Sequence, residues 1–468
     1  MLIFVLENTG FSKYLKQISM QFELTKEFLA NVSQAVANGD STFISKNVID
    51  LHPADIAEIL DYVNLIEAQF IYRLLDDEKS ADVLVEIDED IREKFLASLS
   101  AEEIAESLEN MDSDDATDVI QELSEEKQEE VLSKITDEEQ SSDITALLNY
   151  EEDSAGGIMA KEFVTANINW SVNKTLSMLR KQAEDVDYVY TVYVTDDVEQ
   201  LQGTLSLKKF LYASDETLIK DIYKPEPIYV DVNEPAEEVA SMMEKYDLVV
   251  IPVVNNDGRL VGRITIDDAM DVIKEEAEKD YQMASGISEK VESSDSVWVL
   301  SRARLPWLLI GLLGGILGAY VIGFFEDHIV EHAVMASFIP LILAMGGNVG
   351  VQSSAIIVQS LANNSLEIDS ILKKLLKEMM VAIVNGLICA TIALAFCLVT
   401  EHDQNLALTI GVSLISVFIY AGLFGTFVPL ILNKYKIDPA LATGPFITTT
   451  NDVIGLLLYF LVGWVLYF

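Results

Sequence analysis

The sequence predicts a multidomain membrane protein: an α-helical superhelical N domain, an α/β tandem repeat, a long connecting helix and an all-α membrane domain with five transmembrane helices. Three observations predict it. Apolar residues recur at helical spacing with no glycine or proline between Ala54 and Tyr150. A strand-rich segment repeats itself at an offset of 59 residues. Beyond Leu300, five apolar stretches each reach the ~20 residues that span a bilayer core.

Residues 1–21 read as an N-terminal extension. MLIFVL has no preceding base and no cleavage signature nearby, which argues against a signal peptide. The helical domain follows, over 22–150. Its apolar groups (Ile56, Ile59, Leu60; Ile71, Leu74, Leu75; Val83, Leu84, Ile87; Ile104, Leu108; Val119, Ile120, Leu123) are each followed by a capping Asp, Ser or Thr. Short helices stacked on an apolar seam, with a carboxylate-rich exterior, satisfy that pattern.

From Glu162 the period changes. YVYTVYV and LVVIPVV are strand-like, and LQGTLSLKKFL from Leu201 matches LVGRITIDDAM from Leu260. Two such β-α-β-β-α copies resemble a tandem cystathionine-β-synthase (CBS) pair, with copies over 151–222 and 223–273. A connecting segment, 274–300, leads to the membrane domain, 301–468. The spans are expected near 305–325, 333–361, 379–400, 406–432 and 441–468.

After Leu300 only ten acids and seven bases remain, so nearly all of the formal charge of −45 sits in the first 300 residues. That field repels nucleic acid and anionic lipid and attracts cations. All seven bases flank one side of the spans, which places the N-terminal half in the cytosol and the C-terminus outside. Cys389 and Cys397 fall in a span and imply no disulfide framework. There is no P-loop and no catalytic histidine cluster, so no enzyme is predicted.

Asp452 is the acid expected near the middle of a span, and an intramembrane carboxylate marks a functional site. Thr448, Thr449 and Gly455 share its helix face and leave room for water. PLILAMGGNVGVQSSA puts Gly346, Gly347, Asn348 and Gln352 at hydrocarbon depth, which predicts an irregular second span lining a cavity. Few carboxylates, with amides and carbonyls, suit a hydrated magnesium ion. No Cys or His faces the region, which argues against zinc, copper or nickel.

LHPADIAEIL, MDSDDATDV, YEEDSAGGIMAKEFV, PLILAMGGNVGVQSSA and DPALATGPFITTTNDVIGLLLYF, with the repeats, resemble the MgtE family of magnesium channels from about residue 22 to the end. The resemblance implies a homodimer with Asp452 and Asn348 in its pore, conducting Mg2+ and related ions such as Co2+ and Mn2+. It implies regulatory magnesium sites at Asp268, Asp271, Glu276 and Asp280 on the connecting helix. Glu237 and Asp247 in the second copy, and Asp82, Asp115 and Asp118 in the helical domain, match further sensing positions. Lys279 and Pro235 depart from acidic positions of the family. Thr265 and Asp268 have the spacing with which CBS modules hold ribose, which implies ATP or another adenine nucleotide there. Two other readings stay open: an ion-coupled secondary transporter for divalent cations, and an adenylate sensor with a membrane anchor.

Overall fold

The computed structural model describes residues 22, 24–182, 186, 188–291, 295–362, 371–442 and 444–468. The N-terminal extension lies outside them. The chain divides into two compact units, residues 1–273 and 274–468.

The first unit opens with short helices: α1 (Lys26–Ala37), α2 (Ser41–Ile44), α3 (Pro53–Tyr62), α4 (Leu65–Tyr72), α5 (Asp77–Glu86), α6 (Glu89–Leu96), α7 (Ala101–Leu108), α8 (Ser113–Gln121), α9 (Glu125–Leu132) and α10 (Glu138–Leu147). Local chemistry starts them. Asn64 with Glu67, and Ser100 with Glu103, form reciprocal capping boxes at α4 and α7. Asp76, Asp88 and Asp137 cap α5, α6 and α10 through their carboxylates. Each helix then offers its apolar stripe to one shared core, where Ile56, Ile59, Ile71, Leu84, Leu108 and Ile120 are buried. Burying one such side chain contributes roughly 1.5–3 kcal/mol. The stack of short helices follows from that seam.

The repeat forms two small sheets. In the first, β1 (Thr165–Asn167) runs parallel to β2 (Val192–Thr195) across helix α11 (Val172–Gln182). Strand β2 pairs antiparallel with β3 (Leu201–Leu205), which leads into α12 (Leu207–Phe210). Strand β4 (Lys224–Pro225) closes this sheet against β3. In the second, β5 (Val230–Asp231) runs parallel to β6 (Val250–Val254) across α13 (Ala236–Tyr246), and β6 pairs antiparallel with β7 (Leu260–Thr265).

The irregularities repeat with the sequence. A bulge lies at Val194/Thr195 and another at Val253/Val254, at the same 59-residue offset. Glu199 and Gly258 both take positive φ in the turns that follow. The copies join there: Leu201 donates to the Gly258 carbonyl, Leu260 to the Glu199 carbonyl, each at 3.1 Å. The stretch from Ser154 to Ala160 bridges to Pro235 and Arg263 of the second copy. Helix α14 (Ile266–Ala284) then leaves β7 without a break.

Among the described residues of the second unit, five helices are long and apolar enough to cross a membrane. They are α15 (Val297–Phe324), α17 (Ile339–Ala362) with a 3-10 lead-in from Ala333, α18 (Ile371–Val399), α19 (Gln404–Lys434) and α20 (Pro445–Leu466); α16 (Glu326–Glu331) is a short helix after the first. Helix α19 is the most buried and forms the centre of the bundle. The apolar core gathers around Ile410, Leu414, Val417 and Phe418 from α19 with Tyr459 and Phe460 from α20.

Two expectations are corrected. The second span is not broken: α17 is helical through every residue of GGNVGVQSSA. Its glycines serve close packing, because a Cβ on Gly425 of α19 would strike the Gly350 carbonyl. The third span begins at Ile371, which takes Glu378 into the helix as a second acid besides Asp452. Helix-breaking residues read as loops in water; in a packed bundle they are contact surfaces.

Candidate ion pathway and regulatory acid cluster

Two constellations emerge, one in each unit. In the membrane bundle, Gly347 of α17 faces α20. A methyl at Gly347 would lie 3.2 Å from the Thr448 side chain and 3.9 Å from Asp452 Oδ1. A small residue there leaves space beside the carboxylate for water or an ion. Asn348 and Gln352, one turn apart on α17, both lie on an exposed face of the single chain, while Gly346, Gly350, Ser353 and Ser354 are buried on the other. Two amides facing hydrocarbon would be costly, so that face needs water or protein against it.

The structure separates some residues that the sequence placed together. Thr449 packs onto Gly314 of α15, and Gly455 lies beside Val417 of α19, so neither joins Asp452, Thr448 and Gly347. Two residues escaped the sequence reading. Asn451 is buried, donates through Nδ2 to the Gly346 carbonyl at 3.3 Å, and leaves Oδ1 without a partner. Glu378 accepts from Ser353 Oγ at 2.5 Å and ties α18 to α17.

Helix α20 starts where the chain must bend sharply. Gly444 has φ of 56°, and a Cβ there would meet the Ala284 carbonyl, so α14's last residue lies against α20's N-terminus. Gly286 touches Pro445 as well, at 2.7 Å for an added methyl. The end of the connecting helix therefore abuts the first turn of the helix that carries Asp452.

In the first unit, one carboxylate oxygen each from Asp112, Asp114 and Glu162 lie within 4.8 Å of one another. Residues 49 apart in the chain meet because Glu162 accepts from the Ser113 backbone N–H at 3.2 Å and its hydroxyl at 3.0 Å. Burial pushes the Asp114 carboxyl well above its usual range, and the charges of Asp268, Asp115 and Asp112 add to this. Asp115 is raised to about 8, by burial first and then by Asp268 and Asp118. Glu162 is raised by burial, then by Asp112. Asp268, in the first turn of α14, is raised to about 6 by burial, although Oδ2 accepts from Thr265 N (2.7 Å) and Oγ1 (2.8 Å). Asp118 keeps a solvent-exposed face; the protein packed around it still raises it to about 7, against the pull of Arg92.

Carboxyls crowded and desolvated in this way hold either protons or a cation. Hard oxygen donors of this kind suit magnesium or calcium rather than a soft metal. Of the acids expected in sensing, Asp115, Asp118 and Asp268 meet here. Asp82, Glu237, Asp247 and Asp271 lie on exposed positions. On the later part of α14, Glu276 pairs with Lys279 at 2.9 Å, so the lysine that departs from the acidic pattern offsets a neighbouring carboxylate. Asp112, Asp114 and Glu162 were not singled out, although MDSDDATDV and YEEDSAGGIMAKEFV contain them.

Residues 339–462 match a family described as a divalent cation transporter (MgtE), residues 51–153 the MgtE intracellular N domain, and residues 219–275 a CBS domain. The Magnesium transporter MgtE of Thermus thermophilus is 31% identical over 450 residues, 93% of this chain and 98% of the relative. That of Enterococcus faecalis is 35% identical over 68% of this chain and 70% of the relative. Among solved structures, the cytosolic domain of the Mg2+ channel MgtE in complex with ATP is 32% identical and covers 52% of this chain and 99% of that one, with a TM-score of 0.49. The soluble part of a magnesium transporter is 31% identical, covering 54% and 99%, with a TM-score of 0.48.

The membrane-length helices and the matched families define a multi-pass membrane protein of the divalent cation transporter class that bears a CBS domain. The chain belongs to the MgtE family.

Proposed function

We propose that this protein is a magnesium channel closed by magnesium itself. The observation that carries the reading is α14. Its first turn holds Asp268 in the acid cluster, and its last residue abuts the helix bearing Asp452. An ion that neutralises the cluster stabilises one position of that helix, and so biases the pathway through a differential affinity for two states. Asp452, Thr448, Gly347 and Asn348 are the pathway residues. The exposed amide face of α17 supports a homodimer, in which two copies of Asp452 balance one divalent ion. Thr265 and Asp268 are the residues for the ribose of an adenine nucleotide, and Asp271, Glu276, Asp280, Glu237, Asp247 and Asp82 are auxiliary sensing acids.

Glu378 favours a second reading, coupled exchange, because it adds another carboxylate to the spans. One experiment tests the channel. Protein in liposomes is given a magnesium gradient, with sodium and pH equal on both sides. The channel reading expects flux that falls as magnesium rises on the side of the acidic domains. Flux that needs a sodium or proton gradient would establish coupling instead.

The cluster also sets a pH dependence. Its carboxyls are more basic in the folded protein than in the unfolded chain, so folding takes up protons. The stabilisation they contribute is complete below the unfolded value of 3.8 and is lost as pH rises through about 6 to about 8. A divalent ion can replace the lost protons. Without magnesium, the melting temperature of the cytosolic transition is therefore expected to fall between about pH 6 and pH 8.5. The stabilisation conferred by millimolar MgCl2 should grow over the same interval, since fewer protons must be displaced. Equal magnesium stabilisation at both ends, read by calorimetry, would remove these acids from the binding site.

A further inference from the structure

We propose that Arg263 is a cation tethered within the acid cluster, a positioning residue that holds α8 against the second repeat before any divalent ion arrives. This rests on the reading of the cluster as a magnesium sensor, and it names what sets that sensor's demand for the ion.

Two guanidinium groups act on these acids, and they are committed differently. Arg92 grips Glu122 through Nε and Nη2 and donates to the Val85 carbonyl at 2.7 Å, all within the helical domain. Arg263 reaches across. It is 5% exposed; its Nη2 donates to Asp112 Oδ2 at 2.9 Å and its Nε to the Glu162 carbonyl oxygen. Its own backbone is held on both sides by Ala160, at 2.8 and 2.9 Å, so the side chain projects from a fixed strand.

Asp112 carries the mark of this pull. It occupies the N-cap of α8, where an aspartate ordinarily accepts from the helix's first N–H groups, yet its side chain makes no capping bond. The carboxylate is turned to Arg263. Beside it, Lys161 N donates to Ser113 Oγ at 2.9 Å, and Glu162 takes both Ser113 donors. Every one of these contacts joins α8 to the repeat directly, side chain or backbone to side chain. A single guanidinium neutralises Asp112 but leaves Asp114, Asp115 and Asp268 for a divalent ion. Removing one partner of such a pair strands the other charge.

The test uses the full-length protein in nanodiscs, with Cys389 and Cys397 replaced by serine. Spin labels are placed at two exposed positions, E129C on α9 and D215C in the first repeat, and their distance is measured by electron resonance. In EDTA, Arg263→Gln is expected to lose most of the docked population that the parent retains. Saturating MgCl2 should restore it, so the magnesium-dependent change grows by about three-fold or more. D112N on the Arg263→Gln background should add little, because the two residues act as one pair. Arg263→Lys, which keeps the charge but not the two-donor span, should fall between. If Arg263→Gln does not fold, D112N alone must show the loosened EDTA state. A parent that responds to magnesium while Arg263→Gln matches it in EDTA and in amplitude overturns this inference alone. A parent with no magnesium response overturns the sensor reading, and this inference with it.

Discussion

Replacing Asp452 by alanine is expected to lower magnesium uptake at least about ten-fold while leaving the protein folded. A unit charge pair about 4 Å apart at an effective dielectric of ~20 is worth ~4 kcal/mol, and a divalent ion doubles the attraction. Much of this is returned as desolvation, since magnesium gives up its water reluctantly. Even ~1.4 kcal/mol left over corresponds to ten-fold. Asp452 is half-buried and faces Gly347 rather than the apolar core, so its truncation removes charge without opening a cavity among Ile410, Val417 and Phe460. Asp452→Asn should be nearly as poor, because it keeps the volume and loses the charge. Uptake is measured in cells that lack other magnesium transporters, with gel filtration as the check on folding. Normal uptake by a well-expressed D452A protein would take this carboxylate out of the pathway.

How much of this was legible in the sequence depends on what each element needs to be recognised. The stacked helices announce themselves because their apolar residues and their caps are local; Ile56, Ile59 and Leu60 are buried as their spacing implies. The repeat was legible at an offset of 59 residues, and the bulges and positive-φ turns that share this offset are its structural counterpart. The membrane helices follow from length and apolarity. What failed was the inference from residue type to backbone in α17. Gly346, Gly350 and Ser353 look like breaks, whereas in the bundle they meet Asn451, Gly425 and Glu378.

The acid cluster shows the other limit. Asp115, Asp118 and Asp268 could be named from a resemblance, but Asp112, Asp114 and Glu162 depend on a tertiary approach. Ser113 must meet Glu162, and Arg263 must cross to Asp112. Nothing in helical period or local composition encodes that meeting. Nor does the period reveal that Thr449 turns to Gly314 while Thr448 stays with Gly347. Adjacent threonines diverge by about 100° on a helix, and only the neighbours decide which one matters.

The second large effect belongs to that cluster. Replacing Asp114, Asp115 and Asp268 together by asparagine is expected to leave a channel that conducts but scarcely closes as cytosolic magnesium rises. Asn keeps the size of each side chain and can accept at Asp268's contacts with Thr265, so the first turn of α14 should hold its shape. The burial penalty on Asp114 and Asp115, and the repulsion that neighbouring acids add to it, disappear, which makes the magnesium-free protein more compact rather than less. The ion's preference for the docked state disappears with it. Moving a two-state equilibrium from 1:99 to 99:1 takes about 10⁴-fold differential affinity, so losing three carboxylates should flatten the response rather than merely shift it. Asp452 is untouched, and conduction at low magnesium should persist. Single-channel recording, with magnesium varied on the cytosolic face, separates the outcomes. A triple variant that closes with the parent's steepness and midpoint would move sensing elsewhere, to the later acids of α14 or to Glu237 and Asp247.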